Sequence, residues 1–122
     1  MVELVDGWIA YEAASERGQK SEQDGMQWAY DAVVDVCDAH PDLTFEFVRQ
    51  VLQRDVSPKV LSALAAGPLE DLLARHGAAV IDRVEIEARQ NPRFQHLLGG
   101  VWQNRISNEV WLRVVRVASA KW

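Results

Sequence analysis

The sequence predicts an all-α protein: a single compact domain of about six to seven helices, arranged as an irregular bundle or in an α-solenoid-like way. Three observations carry this expectation. Apolar residues recur at three- and four-residue spacing through most of the chain, and the valine-rich last segment does not alternate as a half-buried strand would. The four prolines, Pro41, Pro58, Pro68 and Pro92, all stand where a helix would start, because the N–H that proline lacks is unpaired at a first helical position anyway. The chain has 122 residues, of which 48% are apolar and 25% charged, which suits one domain with one core and excludes a disordered composition.

The first helix is predicted over about Val2 to Ala14, with Leu4, Trp8 and Tyr11 on one face, flanked by Val5 and Ile9. Ser15 to Gly25 holds no large apolar residue and reads as a solvated loop. A second helix follows from about Met26 to Ala39, with Met26, Ala29, Tyr30, Val33, Val36 and Cys37 on its apolar arc. A third spans about Asp42 to Arg54. Its apolar residues Leu43, Phe45, Phe47, Val48, Val51 and Leu52 cover about half its circumference, which implies more than one packed neighbour.

Next come two short helices, Pro58 to Ala66 and Pro68 to His76, divided by a stop and restart at Gly67-Pro68. Gly77 reads as a C-terminal stop. Ala78 to Gln90 turns Val80, Ile81, Val84 and Ala88 inward. Asn91-Pro92 starts another short helix that Gly99-Gly100 closes. The last helix begins after Ser107 as N-cap and presents Val110, Trp111, Val114, Val115, Ala118 and Trp122 on one face.

The central segment also carries a resemblance. Ala66-Gly67-Pro68-Leu69-Glu70-Asp71-Leu72-Leu73, then His76-Gly77, Pro92-Arg93-Phe94 and Val101-Trp102, resembles a family of small bacterial helical proteins known only as a domain of unknown function. The likeness covers roughly residues 60–102. It implies a bacterial source and a helical fold, and it implies no activity.

Charge and composition narrow the function classes. Net charge is −5, which disfavours nucleic acid and anionic membranes as partners. The charge is uneven: residues 1–61 carry a net −7 and residues 62–122 a net +2. The basic C-terminal stretch sets Arg105, Arg113 and Arg116 near Trp111, but Arg113 and Arg116 are expected on the solvent side of a helix whose apolar face holds Trp111. Self-association of the acidic half with the basic half is a further expectation. No apolar run is long enough to span a bilayer, and Met1 to Tyr11 has no signal-peptide pattern, so a cytoplasmic protein is expected.

No catalytic motif, zinc pattern or phosphate-binding glycine loop is present, so neither catalytic residues nor a cofactor or metal site are assigned. Cys37, the one cysteine, lies in an apolar run and reads as a buried thiol.

Two constellations remain. Asp31, Asp35 and Asp38 lie at i, i+4 and i+7 on the face opposite the apolar arc, and Trp28 stands within about 20° of Asp35. An acidic stripe beside an aromatic anchor suits a basic protein partner, and this makes an interaction module, of the immunity or antitoxin kind, the leading expectation. The alternative is an enzyme or small-molecule binder using Glu70, Asp71 and His76. Their spacing leaves Glu70 about 120° and Asp71 about 140° from His76 around a helix, so neither shares a face with it. A structural account is also open: Glu70 at N3 capping free N–H groups, Asp71 pairing with Arg75, and His76 meeting free carbonyls. Glu85 and Arg89 are likewise spaced for an ion pair.

Overall fold

The computed structural model describes residues 1–122. It contains helices and no strand, in the order α1 (Val2–Glu16), α2 (Lys20–Gly25), α3 (Gln27–Ala39), α4 (Pro41–Leu52), α5 (Pro58–Leu64), a π-helical turn (Ala65–Leu69), α6 (Glu70–Gln90), α7 (Pro92–Leu98) and α8 (Asn108–Val117). Twenty-seven buried residues form one continuous core, so the chain is one domain. The helices make an irregular bundle around α6.

Local chemistry sets several of the starts. Ser57, Asn91 and Ser107 each cap a helix through the side-chain oxygen, which accepts from Val60 N, from Arg93 N and Phe94 N, and from Val110 N respectively. Pro41, Pro58 and Pro92 open α4, α5 and α7. Pro68 does not open a helix. The chain runs on from α5 through the π turn into α6, so Pro58 to Gln90 is one helical path; counted as one, it leaves seven helices. A wider turn accommodates a residue that has no N–H and whose ring would crowd the carbonyl four residues back. Leu64, Ala65, Leu69, Leu72 and Leu73 are all buried along this path, and keeping them on one face requires that the helix continue.

The path bends once, at His76, where φ −131° and ψ 22° leave the helical region. The helical break expected before Ala78 is present, as a kink at His76 and without a left-handed Gly77. Gly77 lies against α8: a Cβ there would sit 2.9 Å from a methyl group of Val110.

Ser15–Gly25 is solvated as expected, yet part of it is helical. Gly18, at φ +69°, turns the chain, and α2 follows with no buried residue. Lys, Glu and Gln are good helix formers, and Lys20–Asp24 and Arg17–Glu22 pair along this exposed stretch. At the C-terminal end, α8 buries Val110, Val114 and Val117, while Val115, expected inward, is exposed along with Leu112. The chain leaves the helix after Val117, so Trp122 lies on no helix face. Its ring stacks on His96 and packs against Gly99 and Gly100, and its Nε1 donates to the His96 carbonyl.

Ion pairs join distant elements where the sequence suggested near neighbours. Arg113 on α8 binds both Asp82, at 2.6 Å, and Glu85 of α6, so the Glu85–Arg89 pair does not form. Arg75 pairs with Asp38 of α3 instead of Asp71. Arg83 reaches Asp42 at 2.6 Å and Arg49 reaches Glu87 at 3.2 Å, fixing α4 on α6.

Because Gly77 has no room for a side chain, Gly77→Ala is expected to destabilise the domain by about 1–3 kcal/mol through overpacking against Val110. Urea unfolding of the two proteins measures it; an unchanged midpoint would show that α8 shifts freely on α6.

Candidate functional site

Trp28 lies in the first turn of α3, which crosses α1 at Gly7. The approach is close. A Cβ on Gly7 would stand 2.7 Å from Ala29 Cβ and 2.9 Å from the Trp28 ring. Glycine costs about 1 kcal/mol in a helix interior relative to alanine, and here the absence of a side chain is what lets the indole lie down on α1. Trp28 is thereby held along one edge while 52% of its surface stays in solvent.

The acidic stripe divides. Asp31 is exposed and accepts from Gln27 Nε2 at 3.1 Å. Asp35 is exposed and bonds to no side chain. Asp38 is drawn away: its carboxylate pairs with Arg75, and its carbonyl bonds to His76 Nε2 at 3.1 Å. Since a carbonyl oxygen only accepts, Nε2 carries the proton in this contact. Thr44 holds the same end of α3 through its buried hydroxyl, which lies 3.1 Å from Val36 O and 2.9 Å from His40 O. The aromatic–acidic face thus consists of Trp28, Asp31 and Asp35, with Asp38 serving the contact between α3 and α6.

Beside Trp28, a groove of about 430 Å³ opens between α1 and α3, lined by Glu3, Asp6, Gly7, Ala10, Met26 and Trp28. No cation lines it. Asp6 is bridged to Arg54, whereas Glu3 has no such partner. Sequence reasoning missed Glu3 and the groove. The one signal in the sequence was Gly7, a helix-weakening residue within an otherwise regular apolar pattern.

The structure does not gather Glu70, Asp71 and His76 around one cavity. Glu70 accepts from Asn104 Nδ2 at 3.0 Å, tying the chain before α8 to α6. It caps no helix start, because the π turn runs into α6 without a break. Asp71 is half-buried beside a cleft of about 50 Å³ shared with Trp8, Tyr30 and Cys37. Burial raises its carboxyl above the usual range and the Glu70 charge adds to this, while Arg75 and Arg105 oppose it. His76 lines a different, open groove of about 430 Å³ with Arg75, Arg105, Ser107 and Glu109. His76 does meet a carbonyl, but that of α3, not of its own helix.

Cys37 is buried, and its thiol is pushed up to about 11 by desolvation first and the Asp71 charge second. A thiol so placed stays protonated at neutral pH and is a poor nucleophile. No three His, Cys, Asp or Glu side chains come together as a metal-binding group. No helix is long and apolar enough to cross a membrane.

With this geometry in place, comparison with known proteins adds one finding. A family model, described as a family of unknown function (DUF6869), matches residues 16–122, and the chain belongs to that family. No curated protein matches it, and no solved structure does.

Asp71 provides a test of what the polar cluster does. A carboxyl whose folded pKa is raised is stabilising while protonated, and that contribution is lost as pH rises through the folded pKa. Asp71→Asn is therefore expected to be more stable than the parent at neutral pH, with the difference shrinking as pH falls below the ordinary carboxylate range. Thermal unfolding across pH checks it; a variant less stable at pH 7 would mean that the Arg75 and Arg105 charges outweigh burial.

Proposed function

We propose that this protein is a protein–protein interaction module of the cytosol that blocks a basic site on its partner, in the way an immunity or antitoxin protein acts by occlusion. One observation carries the reading: a half-exposed tryptophan, held against Gly7, borders a groove that no cation lines and stands beside two exposed aspartates. Tryptophan is among the residues that most often anchor interfaces, because one ring buries a large area. A ring already packed along one edge loses less freedom on binding than a mobile one. Asp31, Asp35 and Glu3 set a negative field around that anchor, which speeds encounter with a basic surface and rejects acidic ones.

The surface to alter follows from the division of the stripe. Asp38 is engaged with Arg75 in the contact between α3 and α6, whereas Asp31 and Asp35 make no ion pair. Tagged protein would be used to capture partners from lysate of its own host at low and moderate salt. The expected result is one stoichiometric basic protein, weakened by salt and lost by at least about tenfold in Asp31→Lys/Asp35→Lys, with helical circular dichroism unchanged. Equal capture by the parent and the double variant would overturn the assignment of this face.

A further inference from the structure

We infer that, while no other partner occupies it, the Trp28 face receives the C-terminal aromatic face of a second copy of this chain, joined head to tail. This rests on the interaction reading above and adds a second positively charged occupant of the same face.

Pairing within the fold leaves charges that are sorted by position. Seven of the thirteen cations are bridged to carboxylates: Arg17, Lys20, Arg49, Arg54, Arg75, Arg83 and Arg113. Of the six left over, five lie between Arg89 and Lys121. Of the nine carboxylates without an ion pair, six lie between Glu3 and Asp55, and these include Glu3, which lines the groove, and Asp31 and Asp35 on the Trp28 face of α3. Along the chain, ion pairing thus leaves mainly acids up to Asp55 and mainly bases from Arg89.

The positive end also carries exposed apolar surface. Trp102 is 60%, Leu112 58% and Val115 53% exposed. Trp102 and Val115 are linked through Lys121 and Trp111: Lys121 Nζ lies 4.1 Å from the Trp102 ring centroid and 5.3 Å from that of Trp111, while Trp111 and Val115 line a common small cleft with Lys121. Arg116, one turn beyond Leu112, has no acidic partner. Trp102 is a protruding ring with an ammonium over one face, and the groove beside Trp28 is an open apolar slot edged by carboxylates.

Symmetry decides the mode of pairing. Two copies joined through their C-terminal faces would bring Lys121 and Arg116 towards their own counterparts, and two joined through their grooves would do the same with Glu3, Asp31 and Asp35. Only the unlike pairing sets opposite charges together. Helix α8 packs on α6, whereas α1 packs on α3, α4 and α5, and no hydrogen bond or ion pair joins α1 or α3 to α8. One copy therefore offers both faces at once.

Sedimentation velocity on the purified chain tests this. At about 20 mM salt the parent is expected to associate further with rising concentration, and at about 0.5 M salt to run as a monomer. Asp35→Lys reverses a charge on the Trp28 face and Trp102→Ala removes the ring from the aromatic face; each alone is expected to be a folded monomer. Mixed in equal amounts, they are expected to give a 1:1 dimer that grows no further, because each keeps one intact face. A parent that is monomeric at low salt overturns the inference, as does a mixture that stays monomeric, or association abolished by only one of the substitutions. A monomeric parent whose captured host partner is still lost in Asp31→Lys/Asp35→Lys overturns the self-pairing alone and leaves the interaction module standing. Capture that survives that double variant overturns the module's face as well.

Discussion

The helical path from Pro58 to Gln90, kinked at His76, is the element on which the remaining packing depends. Its buried side chains, Leu64, Leu69, Leu72, Leu73, Val80, Ile81, Val84 and Ala88, are the part of the core that α3, α4, α7 and α8 all meet. A proline in a helix interior costs about 3 kcal/mol when the turn around it stays α-helical. Burying a leucine side chain contributes about 1.5–3 kcal/mol, and four buried leucines, Leu64, Leu69, Leu72 and Leu73, lie within five residues of Pro68. Burial therefore outweighs the proline, and the π turn is the local distortion that lets both coexist.

The kink at His76 gives the path its second property. Before it, Arg75 and His76 grip the end of α3 through Asp38; after it, Arg83 and Glu87 hold α4, and Asp82 and Glu85 hold α8. Most of these ion pairs are partly solvated, and such pairs add little stability each. Their effect is on register. Each of α3, α4 and α8 is tied to α6 at a fixed point along its length, and apolar packing alone would let neighbouring helices slide by a turn at smaller cost.

What the sequence made legible was local. The caps at Ser57, Asn91 and Ser107 depend on a side chain and the next three residues, so their spacing sufficed to find them. The helical class followed from periodicity, which burial enforces along each helix separately. Gly67-Pro68 misled because its local preference opposed a tertiary demand. Glu85 misled in the same way: an i, i+4 arginine offers a few tenths of a kcal/mol, while the two-pronged contact of Arg113 is stronger and more specific. Trp28 beside Asp35 could be read from angular position, since an exposed helix face follows from the buried one. The groove, Glu3 and the loss of Asp38 to Arg75 could not, because each depends on where a second helix lies. The nearness of Glu70, Asp71 and His76 in sequence suggested a site for the converse reason, since adjacency along a kinked helix sends side chains to different neighbours.

The candidate face and the fold share α3, and this limits what the face can be. Near its start α3 is pinned by the contact of Ala29 and Trp28 with Gly7; at its end it is pinned by Arg75, His76 and the Thr44 hydroxyl. Between these anchors, Ala29, Val33 and Cys37 are buried, and Asp31 and Asp35 project from the other side. A helix fixed at both ends presents its outer residues at constant spacing, so the charges around Trp28 keep the same positions whether or not a partner is present. Their mutual repulsion is a cost to the isolated fold of a few tenths of a kcal/mol, about the size of a helix ion pair, and neither aspartate forms an ion pair that offsets it.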